Sequence, residues 1–311
     1  MQVLLDWYDG AARDLPWRRP GVDAWAVLVC EVMSQQTPVA RVVPRWLAWL
    51  ERWPTPTALA DAPAGEAVRM WDRLGYPRRA LRLHEAATVV RDRHDGVVPT
   101  TCDGLLGLPG VGPYTAAATA AFAHGERVVV LDVNIRRVLA RLHGAVDPLP
   151  GAPTRAETAR ARALLPEDPA RSVRWNAAVM ELGATVCTAR SPRCDACPVR
   201  ASCAWAIAAH GAPGSEAGRT VDGAARGPAG GPGDRDRRAH RPRTTRPQAW
   251  AGTDRHVRGL LLAVLRGVHG TVPTEQLEAV WDGRAQTRRC LDGLVADGLA
   301  VPAPGGYRLP G

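Results

Sequence analysis

Residues 108–123 read LPGVGPYTAAATAAFA and combine a tight glycine turn with the start of a helix. Gly110 and Gly112 allow a turn that points backbone N–H groups outward, and the helix predicted over Thr115–Ala123 places them at its N-terminus. Such donors can hold a phosphate without any side-chain charge. Any corner between two helices can use the same turn, but a dinucleotide-binding motif is excluded because no parallel-sheet pattern surrounds it.

The rest of residues 1–210 is dense in helical periodicity. Asp23 is a predicted N-cap for a helix that runs through Gln36, and further helices are predicted over Ala80–Arg93 and Arg155–Leu165. The apolar residues between Ile135 and Leu142 follow the spacing of an amphipathic helix. We therefore expect residues 1–210 to form an all-α domain.

The chain changes character twice after this domain. Residues 211–250 hold eight Gly, five Pro and eight Arg, which predicts a flexible, basic linker. Residues 251–311 regain periodicity, with three short helices and then a hairpin near Pro302–Gly306. This order predicts a small α+β, winged-helix-like C-terminal unit.

The amino-acid composition limits the partners, the reaction types and the cellular compartment that this chain could have. The net charge of +9 suggests a polyanionic partner. All 40 cationic residues are arginine, which excludes a lysine Schiff base and a phosphate-binding P-loop lysine. No run of apolar residues is long enough for a bilayer, and Asp6 and Asp9 do not suit a signal peptide. Seven cysteines, four of them crowded together, favour metal binding in a reducing compartment. We expect a cytoplasmic protein.

The crowded cysteines are spaced x6, x2 and x5 apart. Four thiolates this close in sequence can surround an iron–sulfur cluster or a single zinc ion, and the spacing alone does not separate the two. Three arginines between them favour a loop that faces a polyanion. Four unrelated buried thiols are the less expected alternative. The predicted ligands are Cys187, Cys194, Cys197 and Cys203.

Two carboxylates suggest acid–base chemistry. Glu31 lies inside an otherwise apolar helix, where burial would raise its pKa toward the value that a general acid needs. A paired or partly exposed glutamate is the plainer interpretation. Asp132 precedes the helix at Ile135 and is a predicted N-cap, which would hold it ionised. One proton donor and one anion together are what cleavage of a glycosidic bond requires.

Taken together, these features resemble the MutY-type adenine DNA glycosylases of the endonuclease III superfamily. The resemblance also includes LPWR at Leu15–Arg18, EVMSQQT at Glu31–Thr37, LGY at Leu74–Tyr76 and LDVN at Leu131–Asn134. It implies a helix–hairpin–helix DNA glycosylase fold, a [4Fe-4S] cluster on the four cysteines, and excision of adenine mispaired with 8-oxoguanine or guanine in double-stranded DNA. Such a protein would work at the nucleoid and needs to be no more than a monomer.

The resemblance implies a role for each matched residue. Glu31 would protonate the flipped adenine at N7, and Asp132 would stabilise the sugar cation with help from Tyr114 and Asn134. Trp17 and Arg18 would line the adenine pocket. Gln36 and Tyr76 would enter the base stack, and Thr37 and Leu74 would touch the orphan purine. The residues that would hold phosphate are Leu108, Pro109, Gly110, Val111 and Gly112.

Position 114 separates the branches of this superfamily. Endonuclease III-type lyases carry a catalytic lysine where this chain has Tyr114, so the resemblance favours a monofunctional glycosylase. The alternatives are a mismatch thymine or uracil glycosylase, an endonuclease III-like enzyme, and a non-catalytic DNA-binding protein with a structural metal site. Many relatives end in a Nudix-like domain, for which residues 251–311 are too few.

Overall fold

The computed structural model describes residues 1–144, 146–147, 150–210 and 251–311 of the chain, so the predicted linker lies outside the described residues. Most of the described residues are helical. The elements are α1 Gln2–Ala11, α2 Ala24–Ser34, α3 Val39–Arg52, α4 Pro56–Ala60, α5 Ala64–Trp71, α6 Arg78–Arg93, α7 Cys102–Leu106, α8 Pro113–His124, α9 Val133–Gly144, α10 Arg155–Leu164, α11 Pro169–Thr185, α12 Ala204–His210, α13 Asp254–Gly267, β1 Val272–Pro273, α14 Thr274–Glu278, α15 Arg284–Ala296, β2 Val301–Ala303 and β3 Gly306–Arg308.

Helix α2 runs through the centre of the helical body. The Asp23 carboxylate accepts a hydrogen bond from the Ala26 N–H at 2.8 Å, which confirms the predicted N-cap. Eight of its eleven residues are buried, and Glu31 is its one titratable carboxyl. The helix ends at Ser34, two residues before the predicted end, because Gln36 takes a left-handed φ of 54°.

The predicted helix–hairpin–helix consists of α7, the turn at 108–112 and α8. Gly110 at the exposed tip has a φ of 77°, and Pro113 occupies the first turn of α8, where its missing N–H costs nothing. Half of the residues of helix α8 are alanine, so neighbouring helices approach it closely from two sides. Ala116 and Ala120 face one core, and Ala117 and Ala121 face the other.

Two hydrophobic cores meet at α8. The first joins α2, α3, α5 and α6 around tryptophans such as Trp49 and Trp71, which are fully buried. The second joins α1, α9, α10 and α11. No helix among the described residues combines the length and the apolar composition that a bilayer crossing needs.

The C-terminal residues form the expected winged-helix-like unit. Its elements follow the order helix, strand, two helices and two strands, and the antiparallel sheet has the order β1-β3-β2. The hairpin is as predicted, whereas the short strand β1 has no alternation that could reveal it. Gly306 is required in β3, because a Cβ there would lie 1.9 Å from the Val272 carbonyl oxygen.

This unit packs on α5 of the helical body. Arg266 donates from Nε to the Val68 carbonyl oxygen at 2.9 Å, and Arg69 donates from Nη2 to the Val268 carbonyl oxygen at 3.0 Å. Leu261 of α13 belongs to the same buried cluster as α5. The two parts are therefore joined by reciprocal hydrogen bonds and a shared core.

Candidate active site and cysteine loop

Glu31 lies on the wall of a cavity of about 300 Å³ between α1, α2 and α11. Burial raises the pKa of Glu31 to about 7, and the negative charge of Asp132 adds to the rise. A hydrogen bond from the Tyr114 hydroxyl and the positive charge of Arg18 act in the opposite direction. The expected elevated pKa is therefore present, and the side chain is partly accessible only because the cavity reaches it.

Asp132 caps α9, as the sequence predicts. Its Oδ1 accepts from the Ile135 N–H and its Oδ2 accepts from the Asn134 side-chain amide, both at 2.6 Å. We expected the helix terminus to hold this carboxylate ionised. These hydrogen bonds and the charge of Arg137 favour the ionised form, whereas burial raises the pKa of Asp132 above the ordinary aspartate value. A carboxyl taken out of water loses more hydration than one cap returns.

Tyr114 completes a group of three side chains. Burial raises the pKa of its hydroxyl well above the ordinary tyrosine value, and the charges of Glu31 and Asp132 add to this rise. The structure therefore brings together three residues that are far apart in sequence. Of the three, only Glu31 lines this cavity, while Tyr114 hydrogen-bonds to its carboxyl and the charge of Asp132 acts on it.

Trp17 and Arg18 also line the cavity, as expected. The Trp17 ring packs edge-on against Trp46 at 5.7 Å between centroids. Arg18 donates from Nη2 to Oε2 of Glu181 at 2.9 Å, and Arg13 donates to both oxygens of the same carboxylate. Glu181 is fully buried on α11, and its ion pairs with Arg13 and Arg18 hold the segment between α1 and α2 against that helix. The sequence analysis missed Glu181, since no local spacing links it to Arg13.

The loops at Gln36 and Tyr76 are joined by one arginine that sequence analysis missed. Arg79 donates hydrogen bonds to the Gln35 carbonyl oxygen at 2.6 Å and to the Gly75 carbonyl oxygen at 3.0 Å. Its guanidinium also lies 5.5 Å from the centre of the Tyr76 ring. The planar guanidinium of an arginine can bridge two loops in this way, and Arg79 lies three positions after the LGY motif.

Thr37 and Leu74 lie beneath these loops. Both are buried, and the Thr37 hydroxyl donates to the Leu74 carbonyl oxygen at 3.2 Å. Tyr76, in contrast, is exposed. Gln36 and Tyr76 both have positive φ, so the backbone there is strained and projects the two side chains outward. The side chains of Thr37 and Leu74, which we expected to touch the orphan purine, are therefore buried here, whereas those of Gln36 and Tyr76 are accessible.

The four predicted ligands Cys187, Cys194, Cys197 and Cys203 lie on one loop and are all free, partly buried thiols. Their charges influence one another, so they face a common space. Among the described residues, no three His, Cys, Asp or Glu side chains come close enough to hold a single metal ion. Four mutually interacting sulfurs on one loop are a ligand set that fits an iron–sulfur cluster.

Helix α9 connects the cysteine loop to Asp132. Arg137 donates from Nη2 to the Asn134 side-chain oxygen and to the Gly183 carbonyl oxygen, both at 2.8 Å, and from Nε to the Cys187 carbonyl oxygen at 2.7 Å. One turn later, Arg141 lies with Nη1 3.6 Å from Cys187 Sγ. The same helix therefore orients the Asp132 partner at its start and the cysteine loop along its length.

Comparisons with known proteins agree with this architecture. Residues 29–166 match the HhH-GPD superfamily of base excision DNA repair proteins, and residues 187–203 match the iron-sulfur binding domain of endonuclease III. The solved structure of a thermostable thymine-DNA glycosylase is similar with a TM-score of 0.61 and 27% identity, covering 67% of this chain and 94% of that one. The fold and site thus define a DNA N-glycosylase of base excision repair with a [4Fe-4S] cluster.

Full-length relatives specify the branch. The adenine DNA glycosylase of Mycolicibacterium smegmatis is 49% identical over 311 residues, which cover 99% of this chain and 95% of the relative. That of Mycobacterium tuberculosis strain H37Rv is 47% identical over 312 residues, which cover 99% and 92%. The chain belongs to the adenine DNA glycosylase family, whose partner is DNA. When bound, the cluster supplies iron–thiolate bonds that tie the cysteine loop together.

Proposed function

We propose that this protein excises adenine mispaired with 8-oxoguanine or guanine, by hydrolysis and without cutting the strand. The observation that carries the proposal is Glu31, a carboxyl with a pKa of about 7, on the wall of a cavity of about 300 Å³. This volume is at the lower end for small-molecule sites and suits a single nucleobase. A base inside duplex DNA reaches such a cavity only after it has been flipped out of the stack.

The chemistry follows from the two carboxyls. Protonated Glu31 gives its proton to N7 of adenine, and the electrons of the bond between the sugar and the base leave with the base. The ionised form of Asp132 stabilises the cationic sugar, and the Asn134 amide holds one of its oxygens at 2.6 Å. Water then adds to the sugar carbon, and Glu31, now ionised, accepts the proton of that water.

Hydrolysis without strand cleavage follows from the amino acids present. The lyase step of the endonuclease III type uses a lysine amine that forms a Schiff base with the sugar, and this chain has no lysine. Tyr114 stands close to Glu31, and its raised pKa keeps its hydroxyl neutral as a hydrogen-bond donor. It therefore positions the acid and cannot replace the amine.

The DNA contacts extend this site along the duplex. Gln36 and Tyr76, on strained loops, enter the space that the adenine leaves, and Trp17 and Arg18 bound the base inside the cavity. The turn 108–112 at the start of α8 binds backbone phosphate. We further propose that the enzyme acts as a monomer, at the nucleoid of the cytoplasm.

A mismatch panel tests the proposal. Duplexes carrying A·8-oxoguanine, A·G, A·T, T·G and U·G are incubated with the holoenzyme, and abasic sites are scored with and without alkali. We expect product from the first two only, and strand breaks only after alkali. Strand breaks without alkali would contradict the monofunctional assignment, and thymine release from T·G would favour the mismatch thymine glycosylase.

Two variants assign the chemistry to the carboxyls. Glu31→Gln and Asp132→Asn should each lower the single-turnover rate at least about 10³-fold while duplex binding is kept. The matched control is Glu85→Gln, an exposed glutamate on α6 that is paired with Arg82. Duplex binding without any abasic product in the wild-type protein would instead identify a non-catalytic DNA-binding protein.

A further inference from the structure

A groove of about 1520 Å³ lies between α13 and the segment from Arg41 to Arg78. Nine arginines and two aspartates line it, with one wall from the helical body and the other from the C-terminal unit. A groove of this size and charge exceeds what one small molecule would fill and attracts a polyanion. None of the candidate catalytic residues lines it.

One end of the groove is formed by Gln36 and Tyr76, the two residues proposed to enter the space that the adenine leaves. Gln36 and Tyr76 belong to the strained loops and also line the groove. Asp72 lines the groove as well and has a φ of 45°. Three of the four non-glycine residues with positive φ in the described chain thus lie here, and such strain concentrates at functional sites. Arg255 of α13 places its guanidinium 5.7 Å from the centre of the Tyr76 ring.

The charge of the groove is only partly neutralised. Asp72 pairs with Arg45, and Asp297 pairs with both Arg78 and Arg258. Arg52 and Arg69 also pair with Glu66, so the nine arginines exceed these three carboxylates by six positive charges. Arg266 stays charged at neutral pH, because burial lowers its pKa only to about 10.

The third helix of the C-terminal unit is a weaker candidate for DNA binding. Helix α15 has the position of a recognition helix in a winged-helix unit. Two of its arginines form ion pairs within the unit, Arg288 with Glu278 at 2.9 Å and Arg289 with Asp254 at 2.9 Å. Arg255, Arg258 and Arg266 of α13, in contrast, line one groove together with six arginines of the helical body, so the groove is the stronger candidate.

We propose that this arginine groove binds the phosphate backbone of the strand that carries the purine opposite the adenine. The inference rests on the proposed function, since the adenine would enter the Glu31 cavity, which shares no lining residue with the groove. The orphan purine stays on the side of Gln36 and Tyr76, and its strand continues into the groove. The C-terminal unit is then the second wall of a strand-binding channel.

The test is salt-dependent binding in the Glu31→Gln background, so that no base is released during the measurement. A duplex with A·8-oxoguanine is titrated by fluorescence anisotropy at several salt concentrations. The groove variant Arg73→Gln/Arg255→Gln removes one exposed arginine from each wall. The control variant Arg284→Gln/Arg288→Gln removes two exposed arginines of α15 that do not line the groove.

The groove variant should bind at least about fivefold more weakly and lower the slope of log K against log salt by about 1.8, which is the release expected for two phosphate contacts. The control should keep the affinity and slope of the parent. Arg73→Lys/Arg255→Lys should restore the slope, because the charge is kept. If the double glutamine variant does not fold, Arg41→Gln, another exposed residue of the groove, serves with an expected loss of about 0.9.

The strand is assigned with neutral methylphosphonates placed one at a time along each strand. Substitutions on the purine strand should weaken the parent but not the groove variant. Equal slopes for the groove variant and parent, an equal loss in the α15 control, or an effect confined to the adenine strand would overturn the proposal. A chain that releases no adenine from any duplex would overturn the proposed function and leave this binding result readable.

Discussion

Glu31→Gln should make the protein more stable at alkaline pH while it removes activity. In the folded protein the carboxyl has a pKa of about 7, because burial penalises its charged form. In the unfolded chain the pKa returns to its ordinary value of 4.5. The folded state therefore holds a proton that the unfolded state has lost throughout the interval between these two values.

The sign and size follow from proton linkage. Stability that Glu31 contributes is fully present below about pH 4.5 and is lost as pH rises through about 7, when the buried carboxyl must ionise. An elevation of this size corresponds to about 3 kcal/mol of unfolding free energy. A glutamine has the same shape and no charge to bury, so the variant should lack this loss.

The assay is urea denaturation of the holoprotein at pH 5 and pH 8, followed by circular dichroism. We expect the unfolding free energies of wild type and variant to differ by less than about 1 kcal/mol at pH 5, where the carboxyl of the unfolded chain is already largely ionised. At pH 8 the variant should be about 2–3 kcal/mol more stable. A difference that is absent at pH 8, or that has the same size at both pH values, would refute the reasoning.

Glu181→Gln provides a control of opposite sign. Burial alone would raise the pKa of Glu181, but hydrogen bonds from Arg13 and Arg18 outweigh it and lower the pKa. This carboxylate contributes stability above its unfolded pKa, and the contribution is lost as pH falls through the lowered value. Its replacement should destabilise the protein at both pH values, by about 1–3 kcal/mol, because the charge-assisted hydrogen bonds from the partly exposed Arg13 and Arg18 are weakened.

Three further predictions concern the site. The single-turnover excision rate should fall as pH rises through about 7, where Glu31 loses its proton, and a rate that still increases above pH 8 would exclude it as the acid. Gly183→Ala should slow excision at least about tenfold and cost about 1–3 kcal/mol, because its Cβ would lie 2.7 Å from Asn134 Cβ, while Gly10→Ala, with open space around it, should change neither the rate nor the urea midpoint. Arg79→Lys should weaken mismatch binding nearly as much as Arg79→Met, since an ammonium cannot bridge two loops, and full retention of affinity by the lysine variant would contradict that role.

The sequence predicts those features that depend on neighbouring residues. The Asp23 and Asp132 caps, the glycine turn at 108–112 and the cysteine spacing are local patterns, and the structure shows the same caps and turn. The elevated pKa of Glu31 could also be predicted, because its neighbours in the sequence of the helix are apolar.

The rest depends on contacts between distant parts of the chain. Arg13 and Glu181 are 168 residues apart, and Arg266 reaches the Val68 carbonyl across 198 residues. Arginine is so frequent here that no single one stands out before the fold places it. The packing of the C-terminal unit on α5, and the charged groove that this packing creates, therefore had no signal in the sequence.

The reciprocal hydrogen bonds between α5 and the C-terminal unit have a consequence for cooperativity. Each part donates a side-chain hydrogen bond to a backbone carbonyl of the other. Arg266 donates to the Val68 carbonyl oxygen, and Arg69 donates to the Val268 carbonyl oxygen. Separation would expose a common apolar cluster and leave both carbonyls without these donors. Amide protons of α5 and α13 should hence exchange with solvent through the same unfolding event. The C-terminal unit should therefore unfold together with the helical body and not before it.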